Sequence, residues 1–332
     1  MNIKSRNSLI IRPRRNRRSD VIREGLAETH LSVKNLVNPL FISSGKNQKT
    51  EIKSMPGIFR MNVDQTLKEI EQCLRLGVKS FALFPSIEDS LKNQKASEAV
   101  NEKSFAIRSI ADIKSRFPDV VIYSDIALDP FSSDGHDGLV KNGIIINDAT
   151  IELLIRMALL QAEAGADYVC PSDMMDGRIG AIRGALDESN YTATGILAYS
   201  AKYASSFYGP FREALASAPK FGDKKTYQMD YRNSREAHLE IDLDVRQGAD
   251  IVMIKPALAY LDIIQRTRRA FSIPIAAYNV SGEYAMIKFA AQAGAINEEN
   301  AMLETLYSIR RAGADLIFTY FTRQYAELVS KK

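Results

Sequence analysis

Apolar and polar positions recur along this chain as one phrase: a helical pattern, a small-residue turn, then an apolar β-rich run. The phrase stands at Leu76-Gly77-Val78-Lys79 before residues 80–84, and at Ala164-Gly165-Ala166-Asp167 before residues 168–170. It returns at Gln247-Gly248-Ala249-Asp250 before 251–254, and at Ala312-Gly313-Ala314-Asp315 before 316–318. Each glycine falls where the C-terminus of a helix asks for a left-handed residue, and the short link to the strand is typical of α-to-β connections. Further strand-like runs at 36–42, 120–126, 195–200 and 274–279 bring the number to eight. Their near-continuous hydrophobicity predicts parallel strands covered on both faces. Helical patterns separate them, for example at 64–76, 148–164, 234–247, 258–270 and 283–293. Eight alternating units predict an α/β fold, a closed (β/α)8 TIM barrel, ahead of an open doubly wound sheet. No Gly-x-Gly-x-x-Gly turn follows the first strand, which weakens a dinucleotide-binding reading.

The remaining features narrow the class. A chain of 332 residues holds one large or two ordinary domains, and the pattern predicts one barrel over 36–332 preceded by an arm over 1–35. Pro13 interrupts any helix in that arm, where Arg12, Arg14, Arg15, Arg17 and Arg18 crowd together. A solvated tail, a contact arm on a neighbouring subunit and a weak nucleic-acid patch are all open readings of it. The net charge of +4 is too slight to make nucleic acid the main partner. Two cysteines, Cys73 and Cys170, make neither a disulfide framework nor a four-thiolate zinc site. They fit a reducing cytoplasm. No apolar run is long enough for a membrane span.

In such a barrel the reactive side chains project from the C-terminal ends of the strands. Those ends carry Asp125 and Asp129, then Asp173, Lys202, Lys255, Tyr278 with Ser281, and Tyr320. Lys255 directly follows an apolar strand, so partial removal from water lowers its pKa and favours the neutral amine that attacks carbonyls. Lys202 ends the preceding strand. Two ammonium groups entering one cavity each ease the other's deprotonation, and two Schiff-base lysines hold two carbonyl substrates together. The expected chemistry is carbon–carbon or carbon–nitrogen bond formation. Residues 203–233 read as an active-site lid rich in aromatics, Gly and Pro. Within it Arg212 and Lys224 are candidate clamps for a carboxylate. The acidic stretch 125–138 reads as a hard-cation or proton-relay site, or as an acidic turn, and the absence of thiolates there disfavours zinc relative to Mg²⁺. His30 and His238 suggest no role.

Several motifs in order give the chain a recognisable look: 124–138, 171–178, 199–212, 253–256 and 278–284. Over nearly its whole length it resembles the porphobilinogen synthase (5-aminolevulinate dehydratase) family. The resemblance implies a lyase that condenses two molecules of 5-aminolevulinate to porphobilinogen in tetrapyrrole biosynthesis, with no organic cofactor. It implies Schiff bases on Lys255 and Lys202, one for each substrate. It also implies carboxylate contacts from Ser281 and Tyr320 for one substrate and from Arg212 and Lys224 for the other. Tyr208, Phe211, Gln228 and Tyr278 then belong to the substrate pockets, and Asp125 and Asp173 to the surroundings of the reacting amine. Zinc-dependent members carry three cysteines where this chain has Ala127, Asp129 and Asp137. Catalytic zinc is therefore not expected, and the magnesium-responsive branch is. There Glu240 matches a carboxylate for an allosteric Mg²⁺ at a subunit contact, and Asp129 and Asp137 stay open as ion ligands. The same resemblance favours the contact-arm reading and a homo-octamer built from dimers, with neither nucleic acid nor membrane as partner. A class I aldolase with a single imine lysine is the runner-up.

Overall fold

All four turn glycines take positive φ, Gly77 at 81°, Gly165 and Gly248 at 98° and Gly313 at 126°, in the computed structural model, which describes residues 11–331. The aspartate that follows three of them has a second job. Asp167, Asp250 and Asp315 each accept a hydrogen bond from the backbone of the neighbouring strand, at Ile122 (2.8 Å), Ile196 (2.7 Å) and Ile275 (2.9 Å). The recurring phrase therefore ends a helix and fixes where the adjacent strand begins.

Eight strands keep the predicted order: β1 (Leu36–Ser43), β2 (Ser80–Ser86), β3 (Val121–Ile126), β4 (Tyr168–Pro171), β5 (Gly195–Lys202), β6 (Ile251–Lys255), β7 (Ile275–Asn279) and β8 (Leu316–Thr319). Each pairs in parallel with the next, and β1 pairs with β8 through Leu36 opposite Ile317 and Val37 opposite Phe318. That pairing closes the barrel and rules out the open sheet. The covering helices are α1 (Val63–Arg75), α2 (Phe105–Arg116), α3 (Asn147–Glu163), α4 (Arg178–Glu188), α5 (Arg235–Arg246), α6 (Leu261–Ala270), α7 (Ser281–Gln292), α8 (Glu298–Ala312) and α9 (Thr322–Val329). None of them is long and apolar enough to cross a membrane.

Alternation along the strands divides the core. On β1 and β2, Leu40, Ile42, Phe81 and Leu83 face outward against Ile70 of α1 and Ile110 of α2. Their neighbours Phe41 and Phe84 point inward, where rings from five strands interlock. Phe41 meets Phe84 at 6.0 Å, Phe84 meets Tyr278 at 6.2 Å, and Phe318 meets both Tyr278 (5.6 Å) and Tyr123 (5.3 Å). Tilted rings in this spacing are favourable beyond the area they bury, and they give the reactive end of the barrel a rigid floor.

The predicted lid is more ordered than a loop. It contains a helix, Gly209–Leu215, started by Pro210 and ended where Ala216 turns left-handed at φ 48°. Its roots bind the backbones of the two lysines, Tyr203 N donating to Lys255 O (2.9 Å) and Met229 N to Lys202 O (3.0 Å). Glycines admit it at both rims. A Cβ on Gly135 would sit 2.3 Å from Ala218 O, and one on Gly282 would sit 2.6 Å from Phe207 O.

Residues 1–10 of the predicted arm lie outside the described residues. From Ile11 to Leu26 the chain stays on the surface, with Ile11, Val21 and Leu26 exposed. It rejoins the barrel where Asn35 Nδ2 donates to Asp315 O (3.1 Å) and Tyr325 OH donates to Leu31 O (2.8 Å).

Candidate active site

Lys202 and Lys255 end adjacent strands in direct register, so both side chains project from the same face at the same height. The register depends on an irregularity. Val252 lies opposite Ala198 but Ile254 lies opposite Ala201, so β5 carries one extra residue there. Such a bulge reverses the facing of the residues beyond it. It turns Lys202 toward Lys255 while Tyr199, three residues earlier, also reaches the Lys255 ammonium.

The two amines meet different surroundings. The Lys255 nitrogen is enclosed by rings, 4.7 Å from Tyr278, 4.9 Å from Phe211, 5.0 Å from Tyr199 and 5.3 Å from Tyr208. Burial lowers its pKa to about 7, and the neighbouring Lys202 pushes the same way against the pull of Asp125, Asp137 and Asp129. Lys202 is instead held by ligands: its nitrogen donates to Asp137 Oδ2 (2.8 Å) and to the carbonyl of Ser172. Two equivalent neutral amines, the simplest expectation, give way to one amine in an aromatic box and one in an ion pair.

Asp137 is the hub of the polar half. Besides Lys202 it accepts from Lys224 Nζ and from Gln228 Nε2 (3.4 Å). Burial opposes its charge, but Lys202 and Lys224 outweigh burial and hold the carboxyl well below its ordinary range. Lys224 also reaches Asp129 (3.3 Å). Burial works against its charge as well, and the two aspartates together raise its pKa. Asp129 and Asp137 thus share the Lys224 ammonium. Asp125 lines the same cavity, and burial raises its carboxyl to about 7 despite Lys255 and Lys202.

One small cavity is therefore lined by Lys202, Lys255, Asp125 and Asp129 together with lid residues Tyr208, Phe211, Arg212, Lys224 and Gln228. Tyr278 belongs to the box around Lys255, and its hydroxyl meets that of Tyr320 at 2.9 Å. Ser281, the first residue of α7, accepts from Phe211 N (3.0 Å) and donates to Phe207 O (3.3 Å). Asp173 and Glu240 do not line that cavity. Asp173 is fully buried and turned toward Arg178 Nε (3.6 Å), while its Oδ1 accepts from Met175 N (2.7 Å). Burial raises it to about 6. Glu240 lies on α5 in a separate, larger cavity with Glu236, Asp176 and His136.

Sequence reasoning passed over Ser172, Tyr199 and Tyr227, and it met His136 only as the imidazole of the acidic stretch 125–138. The imidazole meets Tyr227 OH and Phe221 O, both at 3.1 Å, and so ties the lid to the loop that carries Asp137. No local signal marks a residue that acts through its carbonyl, as Ser172 does, or one turned inward by a bulge, as Tyr199 is.

The lowered pKa of Lys255 has a measurable consequence. Above about pH 7 the amine is mostly neutral and attacks a ketone; below it the reactive fraction falls tenfold per pH unit. Borohydride trapping of a keto acid on Lys255 should be level above neutrality and decline on the acid side. A yield still rising toward pH ~10, as for an ordinary lysine, contradicts the assignment.

The delta-aminolevulinic acid dehydratase family model matches residues 10–328. Delta-aminolevulinic acid dehydratase, chloroplastic, of Oryza sativa subsp. japonica is 53% identical over 320 residues, covering 96% of this chain and 75% of the relative. The Chlamydia pneumoniae enzyme is 51% identical over 318 residues, covering 96% of both chains. The crystal structure of delta-aminolevulinic acid dehydratase (porphobilinogen synthase) from Toxoplasma gondii ME49, in complex with the reaction product porphobilinogen, superposes with a TM-score of 0.95. It shares 48% identity, over 97% of this chain and 92% of that one. By geometry and by these relatives, the chain belongs to the delta-aminolevulinic acid dehydratase family.

Proposed function

We propose that this protein condenses two molecules of 5-aminolevulinate into porphobilinogen with loss of two waters, forming one carbon–carbon and one carbon–nitrogen bond. The observation that carries the reading is the register of Lys202 beside Lys255 in one small cavity. Each lysine condenses with one ketone and releases water. The resulting iminium accepts electrons, so a hydrogen on the adjacent carbon becomes acidic and that carbon becomes a nucleophile. Holding both partners covalently replaces a dilute encounter by an intramolecular one, an advantage that reaches about 7–11 kcal/mol in well-oriented systems.

Individual residues divide the work. Lys255, about half neutral near pH 7, supplies the attacking amine. Asp125, balanced between its two forms at the same pH, takes and returns protons at the substrate nitrogen. In this reading Arg212 and Lys224 receive one carboxylate, and the other goes to Ser281, Tyr320 and the positive end of α7. For Asp173, paired with Arg178, we propose support of the β4 end in place of direct contact with substrate. The lid excludes water from the imines.

An aldolase of class I needs only Lys255, and the family membership together with the second lysine favours the dehydratase. Assay of the purified protein with 5-aminolevulinate, a colour reagent for pyrroles and borohydride mapping tests this. Pyrrole formation with adducts on both lysines is expected, and an adduct on Lys255 with no pyrrole would favour the aldolase.

We also propose Mg²⁺ as an activator. Glu240 is half-buried, and burial with Asp244, Asp176 and Glu236 raises its pKa against the pull of Arg178. A carboxylate repelled by its neighbours suits a hydrated divalent cation, whose charge would relieve that repulsion and stabilise this face. Catalytic zinc is not proposed, because Ala127, Asp129 and Asp137 supply no thiolate. Glu240→Ala should flatten the Mg²⁺ activation curve or shift the assembly size while both lysines remain trappable. An unchanged Mg²⁺ titration counts against the assignment. The exposed arm supports the further proposal of subunit contacts in a homo-octamer, and the two buried free thiols support a cytoplasmic setting.

A further inference from the structure

Glu283 lies on the first turn of α7 and is 1% exposed, yet its carboxylate is held by amides alone. Oε1 accepts from Leu258 N (2.8 Å), and Oε2 accepts from Val280 N (3.0 Å) and Asn279 Nδ2 (3.0 Å). The chain of bonds continues. Asn279 Oδ1 accepts from Thr319 Oγ1 (2.8 Å), which in turn accepts from Phe321 N (3.2 Å). Asn279 and Thr319 are fully buried.

These bonds join three strand ends with separate duties. Leu258 lies three residues beyond Lys255 in the loop after β6, Val280 directly precedes Ser281, and Thr319 directly precedes Tyr320. One side therefore carries the imine nitrogen, and the other carries the hydroxyls and helix terminus that face a carboxylate. A buried carboxylate with three converging donors is stiff, because any displacement exposes unpaired amides to an apolar interior. Burial raises its pKa to about 7, so the donors, and no cation, must sustain its charge.

We propose that Glu283 is a positioning residue that fixes the separation between Lys255 and the Ser281–Tyr320 pole, and so selects γ-keto acids over longer homologues. The inference rests on the substrate assignment proposed above. In the glutamine variant the carbonyl oxygen keeps Val280 N and Asn279 Nδ2 while the NH₂ group faces the donor Leu258 N, so the link to the loop after β6 loosens while the side-chain shape is kept.

The test is competitive borohydride trapping on Lys255 with 4-oxopentanoate and 5-oxohexanoate, quantified on the Lys255 peptide. The unaltered protein should prefer the shorter acid by roughly 10–200-fold, the usual worth of one methylene in a fitted pocket. Glu283→Gln should reduce that preference by about tenfold, and Thr319→Val, which cuts the next link without touching the carboxylate, should reduce it by a smaller factor. A folded Glu283→Gln protein with unchanged preference, whatever its stability or activity, overturns the inference. Should that variant not fold, an unchanged preference in Thr319→Val overturns it instead. No adduct on Lys255 in the unaltered protein would remove the substrate assignment and the inference with it.

Discussion

Lys255→Ala should abolish porphobilinogen formation, by a factor on the order of 10⁴ or more, the loss that the proposed covalent nucleophile requires in a site whose parts act as a unit. No neighbour can replace it. The rings of Tyr199, Tyr208, Phe211 and Tyr278 around its nitrogen offer no amine. Lys202 is committed to Asp137 and Ser172. The variant should remain folded, because removing a buried ammonium relieves a desolvation cost and the aromatic box closes on itself. Borohydride trapping on the Lys202 peptide should persist. Activity within tenfold of the unaltered protein would show that the chemistry runs through another group.

The second large effect is expected at Asp137→Asn, and it has three parts. Asp137 is the anion shared by Lys202 and Lys224, all three being nearly inaccessible to water. Neutralising it leaves two buried ammoniums short of a partner, and breaking a buried pair in this way costs about 3–5 kcal/mol. Chemical denaturation would measure that loss. Lys202 also loses its guide, and misplacing a reactive group by about 1 Å costs roughly 10²-fold in rate, so kcat/KM should fall by at least that much. A third readout has a definite sign. Asp137 raises the pKa of Lys255, so its removal lowers that pKa further, and the acid limb of trapping on Lys255 should move to lower pH. A limb that stays in place or moves upward would disprove the electrostatic link between Asp137 and Lys255.

Much of this architecture is written locally. A strand covered on both faces must be apolar along its length, and a helix that ends in a short turn needs a residue tolerant of positive φ. Both demands act on neighbours in the chain, so Gly77, Gly165, Gly248 and Gly313 marked the boundaries. Several helix starts were legible too: the pattern put those of α1, α3, α5 and α7 within two residues of where they lie, and Asn62 caps α1 by accepting from the backbone of the first turn. The lid's short helix was less legible, because Gly209 and Pro210 read as breakers until the packing of Phe211 against Phe41 and Phe84 supplies a reason for a turn of helix.

The site was legible in part. Lys255 and Lys202 could be picked out because each follows an apolar run at a strand end. Their inequality could not, since it arises from groups distant in sequence: four rings from three segments on one side, and Asp137 with the Ser172 carbonyl on the other. Asp173 seemed equivalent to Asp125, each a carboxylate at a strand end. Arg178, five residues downstream, draws Asp173 into an ion pair, while Asp125 lines the cavity beside both lysines.

By itself, then, the sequence determined the barrel, its order of elements, the family and the two candidate amines, because hydrophobic period, turn chemistry and strand-end position are properties of adjacent residues. Only the tertiary structure decided that β5 carries a bulge setting Lys202 beside Lys255, that Asp137 commits to one lysine and rings to the other, and that Glu283 ties three strand ends together. Those outcomes depend on burial and on charges brought within a few ångströms by chain closure, and neither distance nor dielectric environment is encoded at any single position.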